Sequence, residues 1–317
     1  MGYWMRPSKA FVVFGILTFA LLGLVPLVDL LLAEGGENLT EVAARASEKT
    51  GLVWTSNLLV VLRMSIAEPA LVALLIGSAV PAMAAMLTLI FVKRPNKWRD
   101  FFGRLNPLGG TNVASALLNY SLVFALLIPI LVLVLYFRQL TGGNYVGSLT
   151  TFNLAAVTMV LTLAFLDQGA VLEELGWRGF AVPELHRTMD SPLAVALAVG
   201  VFWGFWHLPR DVTTGVIDRL GMVDYALLYL PSFLMGTISV SIIASYFMNR
   251  LDGSVIPAVM VHGITNDSIG ISGSASIVEA LTPYHQFTKN ILLALAAIGI
   301  IFCVGSSLGR RRSGNSE

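Results

Sequence analysis

Long apolar runs separated by short polar connections make up most of the chain. A helix needs about 20 mainly apolar residues to cross the hydrocarbon core of a bilayer. Eight runs suit that length, roughly 10–33, 69–92, 113–137, 153–183, 192–209, 224–248, 254–271 and 289–308. The first, Ala10–Ala33, holds one charge, Asp29. It exceeds the about 7–15 residues of a signal-peptide apolar region, so it reads as a retained membrane helix. Pro69 opens the second run, where a missing N–H costs least. Pro26 and Pro129 lie inside runs and should kink them, which bundles tolerate when neighbours satisfy the freed backbone groups. The seventh run is short and polar for a spanning segment: either it does not span, or it is sheltered by the others. The pattern predicts an all-α polytopic membrane protein, a bundle of about eight transmembrane helices in a single membrane domain over 1–317.

Composition agrees. The chain is 56% hydrophobic and 12% charged, against about 25% charged in a typical soluble domain. A net charge of +1 argues against a nucleic-acid partner. A single cysteine, Cys303, excludes an intramolecular disulfide and a thiolate metal cluster. With eight spans, the side bearing the Lys93–Arg104 loop and the Arg310–Arg312 tail carries 13 of the 20 Lys and Arg. That excess marks the cytoplasmic face and predicts both termini there. Residues 1–150 hold three helices and an external segment, Glu34–Glu68, in which Asn38 and Glu41 fit a reciprocal helix cap. Residues 151–272 carry the polar motifs, and 273–317 the last helix and basic tail.

The chemistry lies in that middle section. Leu172–Phe180 places two adjacent carboxylates and an arginine in a run otherwise as apolar as lipid. Ionisable groups at membrane depth are costly, face an interior or wet cavity, and partner one another. Glu174 and Arg178, four apart, share a helix face. Glu173 is rotated by about 100° from Glu174. Beside a like charge in an apolar wall, it is the candidate general base; alternatively the cluster only fixes helix packing. Phe202–His207 ends an aromatic helix in a histidine, with Trp203 one turn earlier to pack against its ring. His262 and Asn266 are again four apart and side by side, with Gly263 leaving room for another backbone or a ligand, while the adjacent Asp267 points elsewhere. At about 1.5 Å per residue, Glu173, His207 and His262 lie about 15, 22 and 12 Å below the proposed cytoplasmic ends. They share one layer provided the fourth helix continues beyond Glu173.

Glu-Glu-x-x-x-Arg, an aromatic segment ending in His, and His-x-x-x-Asn therefore occur in order, 34 residues from Glu173 to His207 and 55 more to His262. This resembles the CAAX protease and bacteriocin-processing family of intramembrane proteases, which includes the type II prenyl-protein CAAX endopeptidases. The resemblance covers roughly 150–270 and departs from the family at Trp203, where Phe is usual. It implies an intramembrane endopeptidase with a catalytic cavity, hydrolysing a peptide bond of a membrane-associated, lipidated or CAAX-type substrate. Glu173 and His207 would activate a water, His262 and Asn266 would stabilise the oxyanion, and Glu174 and Arg178 would hold Glu173 in place. No cofactor is expected. Glu173, His207 and His262 would nonetheless make a zinc set of two imidazoles and a carboxylate. Two other classes use the same residues: a non-catalytic immunity or scaffold protein of this fold, and a proton-coupled transporter.

Overall fold

The computed structural model of the protein describes residues 7–32, 39–140, 154–213, 216–266 and 283–310. It is helical, without a strand among the described residues. The N-terminal part runs through α1 (Pro7–Leu22), α2 (Val25–Leu32), α3 (Leu39–Thr50), α4 (Leu58–Ala67), α5 (Leu71–Phe91), α6 (Lys97–Gly103) and α7 (Val113–Leu140). Then come α8 (Leu154–Leu166), α9 (Gln168–Gly176), a π turn (Trp177–Ala181), α10 (Val182–Leu185) and α11 (Pro192–Trp206). Short helices α12 (Leu208–Thr213), α13 (Val216–Leu220) and α14 (Met222–Asp224) lead through a second π turn into α15 (Leu230–Arg250). α16 (Ile256–Asn266) and α17 (Pro283–Val304) complete the described chain. Asn38 of the expected cap, Asp267, the side chain of His285 and the tail beyond Arg310 lie outside the described residues.

Among the described residues, six helical stretches are long and apolar enough to span a membrane: Lys9–Val28, Leu71–Phe91, Val113–Val134, Pro192–Val212, Met222–Arg250 and Gln286–Ser307. The fourth run forms shorter helices and the seventh is described only to Asn266, so the count of eight is not reached among the described residues. The fourth is divided at Asp167. Its backbone leaves the helix (ψ 125°) and its carboxylate caps α9 by accepting the Ala170 N–H at 2.8 Å. The start of α9 is also pinned from outside the run, where the Gln168 N–H donates to the Ser56 carbonyl at 2.7 Å. The external segment thereby reaches the motif helix, while α3 and α4 bury Val42, Ala46 and Met64 against Leu71.

The seventh run gives α16, with nine of its 11 described residues buried. It packs against α7, α8, α9 and α15, which buries His262 and Thr265 within the bundle. α15 packs against α11, α16 and α17 and centres the second half. Two glycines set the close approaches. A Cβ on Gly263 would lie 2.5 Å from the Leu163 carbonyl oxygen, and one on Gly176 would lie 2.3 Å from the Pro81 carbonyl carbon. Small residues let membrane helices meet backbone to backbone, and here they bring α16 onto α8 and α9 onto α5. Side chains such as Ile16, Leu117 and Phe302 face outward, where a bilayer supplies apolar contacts.

Candidate active site

Trp203 is the centre of the motif residues. Its indole N–H donates to Glu173 Oε2 at 2.8 Å. Its ring meets the His262 ring at 4.8 Å and the His207 ring at 5.5 Å between centroids. The Arg178 guanidinium lies 5.0 Å over the same indole. Three separate helices, α9, α11 and α16, thus bring Glu173, His207 and His262 against one side chain. Sequence periodicity placed Trp203 against His207; it carried no sign of the bond to Glu173.

Each imidazole is oriented by its Nδ1. That of His207 lies 2.8 Å from the Trp203 carbonyl oxygen. A carbonyl only accepts, so this nitrogen carries the proton and Nε2 keeps its lone pair. His207 itself caps the end of α11, where its backbone N–H bonds back to Gly204. The His262 Nδ1 donates to Glu174 Oε1 at 2.9 Å, again leaving Nε2 for other chemistry. Glu174 Oε1 also accepts from Arg178 Nη1 at 2.7 Å, and both side chains are fully buried. The ion pair expected from the four-residue spacing is present, and it reaches His262 as well. Glu174 therefore orients the His262 imidazole directly, and Arg178 acts on it through Glu174.

Asn266, the last residue of α16, directs its amide at Asp167, with Nδ2 donating to Oδ1 at 3.1 Å. The same carboxylate oxygen caps α9, so Asp167 ties the helix carrying Glu173 to the helix carrying Asn266. Sequence reasoning missed Asp167. Its one signal was an acidic residue in an apolar run immediately before Gln168-Gly169. Gly169 opens space between these groups: Glu173 Oε1 and Asn266 Nδ2 each lie 3.4 Å from where a Cβ on it would stand. Asn266 is exposed, while Glu173 and His262 are buried, so the amide lies nearer the surface than the acid and the imidazole.

Among the described residues no three His, Cys, Asp or Glu side chains are grouped so as to hold a metal ion. Glu173 spends Oε2 on the indole, and Glu173, His207 and His262 do not assemble into the zinc set in this conformation.

A family model described as "Type II CAAX prenyl endopeptidase Rce1-like" matches residues 153–267. That stretch contains α8, α9, α11, α15 and α16 and every residue of the site. A protein named CAAX prenyl protease 2 from Methanococcus maripaludis is 24% identical over 211 residues, spanning 64% of this chain and 74% of that relative. Residues 153–267, where the three motifs resemble the CAAX protease family, thus carry the signature of the Rce1-like type II CAAX prenyl endopeptidases.

Proposed function

We propose that the chain is an intramembrane endopeptidase that cleaves near the C-terminus of a membrane-associated, CAAX-type lipidated protein. The observation that carries the reading is the convergence of Glu173, His207 and His262 on Trp203, within the segment that matches the type II endopeptidases. The reaction needs no covalent enzyme intermediate. A water held between the Glu173 carboxylate and His207 Nε2 loses a proton as its oxygen attacks the scissile carbonyl carbon. The oxyanion that forms is met by the Asn266 amide and by His262 Nε2. To donate from Nε2, His262 has to carry protons on both nitrogens, and Glu174 supplies the counter-charge. Collapse breaks the C–N bond, and the proton taken from water passes to the leaving amine. Preorganised donors at such an oxyanion contribute about 2.7–4 kcal/mol each in soluble hydrolases.

Activation of the water by carboxylate and imidazole, without metal, is part of the proposal. The site would be entered from the cytoplasmic side, with both termini on that side.

The test is cleavage of a farnesylated CAAX peptide by purified protein in detergent, with the released C-terminal fragment followed by mass spectrometry. Wild type is expected to release it, and Glu173→Gln to lose activity by about two orders of magnitude or more, as when one essential group of a hydrolase is removed. Equal cleavage by folded Glu173→Gln would overturn the catalytic assignment.

A further inference from the structure

A second site lies at the opposite end of α10 from the catalytic residues, where the helices emerge. A cavity of about 450 Å³ is lined by Arg104, Arg187, Arg310, His186, Asn249 and Asp252, among others. Its volume is within the about 300–1,000 Å³ of small-molecule sites. The candidate spans ending at Arg250 and Ser307 close just beside it, which sets it at the level of a bilayer surface.

Its charge is lopsided. Three guanidiniums converge on the cavity against one carboxylate, Asp252. Arg187 shares Glu184 with Arg94, at 3.4 and 2.8 Å. Arg104 is held by a carbonyl, with Nη1 donating to Gly253 at 3.4 Å. Burial pushes the Arg104 guanidinium below its ordinary range; Arg187 and Arg94 add to that, while Asp100 and Glu184 oppose it. The His186 imidazole is pushed down to about 4, by burial first and then by Arg310. At neutral pH it is therefore uncharged and offers a hydrogen-bonding ring beside the arginines.

The backbone is shaped to keep these cations together. Leu308 and Gly309 both adopt left-handed conformations (φ 44° and 71°), turning the chain after α17 back over α15. The Asn249 amide donates to the Leu308 carbonyl at 3.0 Å and fixes that turn, with Arg310 immediately after it. At Gly253 (φ 86°) a Cβ would stand 2.8 Å from Arg104 Nη1, so glycine both permits the turn and leaves room for the guanidinium. Keeping like charges close costs energy unless an anion joins them.

We propose that this cavity binds a phosphate group, presented by the headgroup of an anionic phospholipid at the basic end of the bundle. Guanidinium forks pair with phosphate oxygens in two parallel hydrogen bonds, and basic pockets between membrane helices suit such headgroups. Arg104 and Arg310 lie outside the 153–267 match, so the site does not follow from the resemblance.

The experiment is native mass spectrometry of the full chain in nonionic detergent, titrated with dioleoylphosphatidylglycerol, alone and with inorganic phosphate as competitor. Arg187→Gln and Arg310→Gln alter exposed side chains, and each is expected to weaken lipid binding about fivefold. The double variant should bind about 25-fold more weakly on the same scale. Phosphatidylglycerol binding that the variants weaken and phosphate does not displace supports the lipid headgroup as occupant. Displacement by inorganic phosphate at similar concentration, with the same sensitivity to the variants, supports the phosphate site with a free anion as occupant. Equal affinities of wild type and folded double variant for both probes, or no binding of either, would overturn the proposal.

Discussion

Trp203→Phe isolates one hydrogen bond. Phenylalanine keeps an aromatic face for His207 and His262 but removes the N–H that donates to Glu173 Oε2 at 2.8 Å. A hydrogen bond to a charged group contributes about 1.5–3 kcal/mol. If that bond fixes the carboxylate for attack, its loss slows the chemical step by about tenfold to 150-fold. The smaller ring also leaves space beside Arg178, whose guanidinium lies 5.0 Å over the indole, so stability has to be followed separately. The assay is kcat and KM on a farnesylated CAAX peptide, with thermal unfolding in the same detergent. The expected outcome is a fall in kcat with KM little changed, because the bond orients the enzyme's own acid. A folded variant with kcat within about twofold of wild type would refute the reasoning, since an interaction used in the transition state has to appear in kcat.

Glu174→Gln removes the buried counter-charge of Arg178 and leaves His262 only a neutral amide oxygen as acceptor. Unfolding should show a loss of about 3–5 kcal/mol, with Glu174→Gln/Arg178→Met regaining stability but not cleavage; an unchanged melting temperature in the single variant would contradict the pairing. Gly176→Ala pushes a methyl against the Pro81 backbone at 2.3 Å and should destabilise by about 1–3 kcal/mol, read as a lower Tm; wild-type Tm would show that α5 and α9 separate freely. Lys49 first, with Arg45, holds the Glu68 carboxyl below its ordinary value despite burial. Its contribution to stability is therefore present above the unfolded carboxylate pKa and lost as pH falls through the folded one. Glu68→Gln should flatten the acid side of a Tm–pH profile, and parallel profiles would count against this. Chelator treatment should leave cleavage intact, whereas loss restored only by zinc would replace the carboxylate-activated water with a metal-bound one.

Periodicity was a good guide where partners are one helical turn apart. The Glu174–Arg178 pair and the neighbouring His262 and Asn266 follow from spacing alone, and so does Trp203 beside His207. Helix continuation past Glu173, through the π turn to Leu185, was the condition for a common layer. The missing parts are links across the sequence: Trp203 to Glu173 over 30 residues and His262 to Glu174 over 88. Such bonds depend on how helices rotate against one another, which hydropathy does not encode. Averaging also hid the break at Asp167, because one carboxylate barely changes the mean of a long apolar window. That is why the fourth expected span, which carries Glu173, appears as shorter helices.

The burial of α16 bears on how the protein is made. Nine of its eleven described residues are buried, His262 and Thr265 among them, and such groups are costly in hydrocarbon, so a translocon has little reason to release this segment into lipid by itself. Its berth is formed by α7, α8, α9 and α15, all of which leave the ribosome first. The order of synthesis thus supplies a prepared slot for a helix poorly suited to lipid on its own.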